Sequence, residues 1–270
     1  MTSLSRPGVP SHDARIALTV VGVLTLAALV LPTSVVSKLD LVGYAVCHQI
    51  TDRSFVIGGT QLPMCARDTG MFGSALLCIL GYLVLRPPRV TRFPPPRFWP
   101  VLILFAMVWA ADGLNSYMLL ATGRVFYYLP HNSLRLLTGA LMGVSLASFV
   151  VPFFNEALWS PSVRTALPAL QSWATLGALV LIALSWVALV LWQPAALYGA
   201  YALISTLGTL LLLTVVNSLM VVLVRHRENT LTHWRQFLLP FLIGSTMTLL
   251  EIAAIGTLRS YITVRMNLPF

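Results

Sequence analysis

The chain has 270 residues, 57% of them hydrophobic and 9% charged, with a formal net charge of +9 and a mean hydropathy of +0.84. Soluble domains carry about 25% charged residues, so one soluble domain of this length is excluded and little chain is left for an extramembrane unit. The basic residues stand mostly in short loops between apolar runs, the placement that orients a chain in a bilayer; lipid is the expected partner and nucleic acid is not.

Residues 1–15 read as a short polar cytoplasmic tail carrying Arg6 and Arg15. The apolar run 16–36 is too long for a signal-peptide core and lacks a small-x-small cleavage site, so it reads as a retained first helix. Further runs of roughly 20 residues, enough to cross the hydrocarbon core, follow at 69–86, 100–122, 134–153, 168–192, 197–224 and 236–258. The expected fold is all-α: a polytopic transmembrane helix bundle of about seven spans. Residues 16–158 make a motif-bearing region with an outer loop, and 159–270 a C-terminal region of plainer spans. Between the second and third spans, Arg86, Arg89, Arg92 and Arg97 surround Pro94-Pro95-Pro96, which predicts a stiff, basic, extended linker.

That linker and the loop holding Arg225, Arg227 and Arg235 are the densest basic clusters. Placing both inside puts the N-terminus in the cytoplasm, the C-terminus outside and residues 37–68 outside the cell membrane. Ionisable groups within or at the ends of spans are functional candidates by default. Here they are Asp68, Asp112, Arg135 and Glu251, and this topology brings all of them to the outer leaflet, as if around one polar cavity. The plainer expectation is an Asp112–Arg135 ion pair that holds two helices together.

The chemistry is concentrated in Cys47-His48-Gln49, Arg53-Ser54-Phe55, Gly58-Gly59 and Pro63-Met64-Cys65-Ala66-Arg67-Asp68-Thr69-Gly70. Pro63 suits the first turn of a helix. A helix starting there sets Cys65 and Asp68 on one face and favours the Cys65 thiolate. Cys47 or His48 from the loop completes a zinc-type ligand set, for zinc or another divalent transition metal. Against it, adjacent side chains such as Cys47 and His48 diverge. A Cys47–Cys65 disulfide and a pair of free thiols beside a hydrogen-bonded histidine stay open as alternatives. His131 is the other histidine near the spans, and Cys78, inside an apolar run, reads as packing.

The segment resembles a family of bacterial and archaeal membrane proteins catalogued as domain-of-unknown-function family 2085. That family's pattern is Cys-His-Gln, Arg-Ser-Phe and Pro-x-Cys-x-Arg-Cys-Thr-Gly, then Asp-Gly, then Asn-x-x-Arg-x-x-Thr-Gly. This chain supplies Asp112-Gly113 and Asn132, Arg135, Thr138 and Gly139 for the last two, so the likeness covers about residues 40–155. Asp68 stands where the family has its last cysteine, which rules out a disulfide within that Cys-x-x-Cys; an aspartate ligand keeps a metal site open with altered affinity. The resemblance brings no activity with it. A fainter internal echo sets Arg67 before Thr69-Gly70 and Arg135 before Thr138-Gly139. Parallel repeats would make the two arginines equivalent, although small residues at helix contacts explain the likeness more simply.

Three functions compete. The first is a metal-dependent enzyme: Cys47, His48, Cys65 and Asp68 hold the ion, Arg53, Arg67 and Arg135 bind a lipid phosphate or similar amphipathic anion, and Asp112 and Arg135 act in catalysis. The second is a small-molecule or ion transporter lined by the same residues. The third is a structural or assembly subunit whose spans pack on membrane-protein partners.

Overall fold

The computed structural model describes residues 19, 21–22, 34–87 and 89–266. The expected first span, 16–36, and the tail before it lie almost wholly outside the described residues. From there the chain forms helices α1 (Val35–Val46), α2 (Ala66–Leu85), α3 (Trp99–Thr122), α4 (Asn132–Leu158), α5 (Trp173–Trp192), α6 (Tyr198–Val224) and α7 (Trp234–Met266). Helices α2 to α7 are long and apolar enough to cross a membrane, and all six coincide with expected spans. The protein is a multi-pass, all-α membrane bundle.

Side-chain pairings fix the helix directions. Helices α2 and α4 run parallel: Gly70 lies against Leu136, Ser74 Oγ donates to the Ala140 carbonyl, and Tyr82 Oη donates to Ser148 Oγ. Their approach is backbone-close, because a Cβ on Gly70 would overlap the Leu136 carbonyl oxygen and one on Gly139 the Arg67 carbonyl oxygen. Without a hydrophobic drive in lipid, such small-residue contacts carry helix association. Helix α5 is antiparallel to α2, its Trp186 Nε1 donating to the Thr69 carbonyl and Leu179 accepting from Cys78. Helix α6 is again parallel, with Tyr198 at its start donating to the Gln61 carbonyl before α2 and Gly208 on Phe72, and α7 is antiparallel to it, with Gly244 on Ser218 and Thr248 on both Thr214 and Asn217. Successive spans therefore alternate, and the bundle has two distinct ends. The segments before α2 and between α3 and α4 share the motif end, and the loops rich in arginine share the other.

Both ends depart from the expected boundaries for the same reason, short strand pairs. At the motif end, β1 (Ser54–Ile57) and β2 (Thr60–Cys65) form an antiparallel hairpin. Its turn is Gly58-Gly59, both at positive φ (59° and 82°), the conformation that two-residue hairpins require and that glycine adopts freely. Pro63 thus lies in a strand, where the lost N–H is tolerated in a two-stranded edge, and α2 begins three residues later, at Ala66. At the arginine end, β3 (Val90–Arg92) pairs parallel with β4 (Thr165–Pro168). The linker is extended as expected, but its pairing draws residues 165–168 into a strand, so α5 starts at Trp173 rather than near 168.

Candidate functional site

Helix α1 descends along the hairpin, and its last turn meets the start of α2. Val42, Cys47, Met64, Cys65 and Ile252 form one buried cluster, with Leu210 of α6 against it. Leu210 lies near the middle of α6, so the cysteines sit deep in the bundle rather than in a surface loop.

One ligand atom each from Cys47, His48 and Cys65 lies within 4.8 Å of the others. All three cysteines of the chain are free thiols; Cys78 is buried as expected. Cys47 Sγ accepts the Cys65 backbone N–H at 3.1 Å. Cys47 and His48 therefore do not diverge. The reason is local: Gln49 takes a positive φ of 52°, and His48 Nδ1 accepts the Ile50 N–H at 3.0 Å, which folds the ring back along its own chain. With Nδ1 accepting, the neutral ring carries its proton on Nε2. The lone pair on offer to a metal is the one now facing Ile50.

Burial pushes the His48 pKa down from 6.5; Asp68 opposes this, and Arg53, Arg135 and Arg67 add to it. Burial thus favours the neutral ring, the form that binds metals. The Cys65 thiol is pushed well up, first by its hydrogen bond with Cys47 and then by burial and the Asp68 charge, with the Asp68 N–H pulling the other way. Here the expectation of a favoured thiolate is corrected. Cys65 does occupy the N-cap position of α2, but the contact with a second sulfur and burial outweigh the helix end. Asp68 stands outside the group of three ligands, though its charge acts on both His48 and Cys65. His131, exposed before α4, is not in the group either.

Beside this group, three arginines converge on one serine that the sequence reading did not single out. Arg53 donates to the Ser116 carbonyl at 3.0 Å, and Arg67 and Arg135 both donate to Ser116 Oγ, at 3.1 and 3.3 Å. Ser116 stands one helical turn after Asp112, and that spacing was the available signal. Arg67 also forms a two-bond pair with Asp112 Oδ2, at 2.7 and 3.2 Å. The expected Asp112–Arg135 pair is thus replaced by Arg67–Asp112. Arg135 turns instead to Asn132 Oδ1 at 2.8 Å, and Asn132 in turn donates to the Ser54 carbonyl of β1. Arg67 and Arg135 thus meet at one hydroxyl, Ser116 Oγ.

The second Asp112 oxygen accepts from Tyr128 Oη at 2.6 Å. Asn115 binds the backbone of Tyr127 and Tyr128, so the loop after α3 folds back over the arginines. Burial and Asp112 push the Tyr128 phenol up to about 12. Burial and the neighbouring Arg67 charge lower the Arg53 pKa, against the pull of Cys65. Neither Arg53 nor Arg135 has a carboxylate within ion-pair distance among the described residues, so positive charge is left over.

Glu251 does not join this centre. It is exposed on α7 and accepts from Asn217 Nδ2 at 2.8 Å, next to Thr248. Of the residues expected at one depth, Asp112 and Arg135 are linked through Arg67 and Ser116, while Glu251 is not, because depth leaves the facing direction open. What α7 does contribute is Arg259, which no sequence motif singles out. Its guanidinium donates to the carbonyls of Tyr44, Cys47 and His48, the last at 2.9 Å, and stacks 4.2 Å from the Tyr44 ring centroid. These are carbonyls at and beyond the α1 C-terminus, where a cation is favoured. Arg259 thereby holds the backbone that carries two of the three candidate ligands.

Residues 47–149 match the model of a family described as predicted membrane protein, DUF2085. An uncharacterised protein of Methanocaldococcus jannaschii is 29% identical over 114 residues, which are 42% of this chain and 67% of that protein. No solved structure matches the chain. The matched segment contains Cys47, His48, Cys65, all three converging arginines and Ser116, while Arg259 lies outside it.

Proposed function

We propose that the motif end is a metal-dependent catalytic centre that faces the extracytoplasmic side of the cell membrane and acts on a lipid phosphate or a similar amphipathic anion. The observation that carries this reading is the convergence of Cys47, His48 and Cys65 within 4.8 Å beside arginines that gather on Ser116. Two sulfurs and one imidazole match the ligand type and number of catalytic zinc sites, which leave a fourth position open. A divalent ion bound there would acidify water at neutral pH. Arg53 and Arg135, the guanidiniums without a carboxylate, would hold the anion. Arg67, already neutralised by Asp112, would position the α2 end. Asp112 is occupied on both oxygens, so Asp68 is the better proton acceptor.

Deeper in the same helices the hydroxyls are taken up, Ser74 by the Ala140 carbonyl, Ser145 by that of Leu102 and Ser148 by that of Val144. This supports a site closed toward the other end over a path through the bundle. The dense arginine loops at that other end support its placement on the cytoplasmic side.

Elemental analysis of the purified protein tests the reading. The expected result is about one equivalent of a divalent transition metal, as expected for a single site, and its loss in Cys65→Ala. Metal-free wild type, or metal unchanged in Cys65→Ala, would sink it.

A further inference from the structure

The arginine end holds a cavity of about 410 Å³ between the last turn of α6 and the first turns of α7. Its rim is the turn Arg225-His226-Arg227, and its wall is Val222, Leu239 and Pro240. His226 and Asn229 adopt positive φ (49° and 58°), which curls the connection and keeps these cations together over the helix ends. Neither Arg225 nor Arg227 forms an ion pair among the described residues, and the loop's acid, Glu228, does not line the cavity.

Two further features describe what fits. Gln236, also in the lining, uses its Oε1 to cap α7, accepting from the backbone of Thr232 and His233. Pro240 lies inside α7 and has no N–H, which removes one intrahelical bond at the cavity wall. Trp234, at the α7 start, is 55% exposed, and exposed tryptophan at a span end marks the headgroup level. A cationic rim at that level and an apolar wall on two membrane helices together match an amphiphile with a phosphate head. Positive-inside charge alone explains arginines in this loop; it does not explain a cavity under them.

We infer that this cavity binds the phosphate headgroup of an anionic phospholipid, with the glycerol or alkyl part along Val222, Leu239 and Pro240. Arginine suits phosphate through its planar, two-pronged donor set, and basic pockets between spans are recurrent headgroup sites.

The test uses the full-length protein in detergent, titrated with phosphatidylglycerol or phosphatidylcholine, with thermal midpoint and retained lipid by native mass spectrometry as readouts. Wild type should be stabilised by the anionic lipid and retain it, and should not respond to phosphatidylcholine. Arg225→Gln with Arg227→Gln should weaken the anionic lipid at least about tenfold, the size expected for two lost charge-assisted contacts. Arg92→Gln with Arg97→Gln removes the same charge at the same end away from the cavity and should bind as wild type does. Equal loss in both double variants would show a diffuse basic face and overturn the site. Competition by soluble glycerol 3-phosphate as effective as the lipid itself would overturn the membrane source.

Discussion

At the motif end Arg67 and Arg135 turn inward onto one serine hydroxyl, whereas at the opposite end Arg225 and Arg227 stand exposed without a carboxylate partner among the described residues. The residue type and charge are the same. What differs is what the helices offer. Helix α3 presents Asp112 and Ser116 on one face, and α4 presents Asn132, so guanidiniums entering there are met by acceptors at every approach. Near the turn between them, α6 and α7 present Val222, Leu239 and Pro240, apolar side chains that offer the arginines no acceptor. An arginine is drawn into a bundle only where its donors are satisfied, since burying an unmet charge is prohibitive. The two ends should therefore respond very differently to substitution.

The largest effect is expected at Asp112. Asp112→Asn removes the only carboxylate paired with Arg67 among the described residues and leaves three guanidiniums facing one another, so the fold should lose about 3 kcal/mol, the range seen when one partner of a buried pair is removed. Thermal or denaturant unfolding in detergent checks this, and a change within error of wild type would show that solvent rather than Asp112 balances the cluster. At the arginine end of the bundle, Arg225→Gln should change the unfolding free energy by less than about 0.5 kcal/mol without added lipid, as exposed substitutions do.

Next in size is Arg259→Met. It strips the donor from three carbonyls around Cys47 and His48 and should destabilise by about 2 kcal/mol, the scale of a few partly exposed charge-assisted bonds. The more telling readout is local. Alkylation of Cys47 and Cys65 should accelerate while Cys78, buried between α2 and α5, stays protected. Uniform acceleration of all three thiols would mean that Arg259 merely stabilises the bundle.

The smallest effect is on pH dependence. The Tyr128 phenol titrates higher in the folded protein than its ordinary value of 10.0, so above pH 10 the unfolded chain releases the proton first and stability falls as pH rises toward 12. Tyr128→Phe should flatten that alkaline slope; an unchanged slope would show that Tyr128 does not keep its Asp112 bond in solution.

Some of this was legible without coordinates. The six described spans are read from apolar runs because the bilayer sets their length, and Cys47, His48, Cys65 and the three arginines stand out because polar residues are rare in such a chain. The hairpin was harder to read. Pro63 pointed to a helix start, and only the strand pairing across Gly58-Gly59 decided against it. Ser116 was passed over because serine is common at helix contacts, and only the arrival of two guanidiniums makes this one a centre.

The sequence by itself determined that the chain lives in a membrane and that its candidate ligand and arginine residues cluster in residues 47–70 and the helices after them. Composition and run length suffice for that, being set by the solvent rather than by neighbours. Tertiary structure alone decided the partners. It gave Asp112 to Arg67 rather than Arg135, turned Glu251 away from the site, brought Cys47 and His48 to Cys65, and sent Arg259 more than two hundred residues back along the chain to hold them. Depth along a helix can be counted from sequence, but the direction a side chain faces depends on which helices pack beside it.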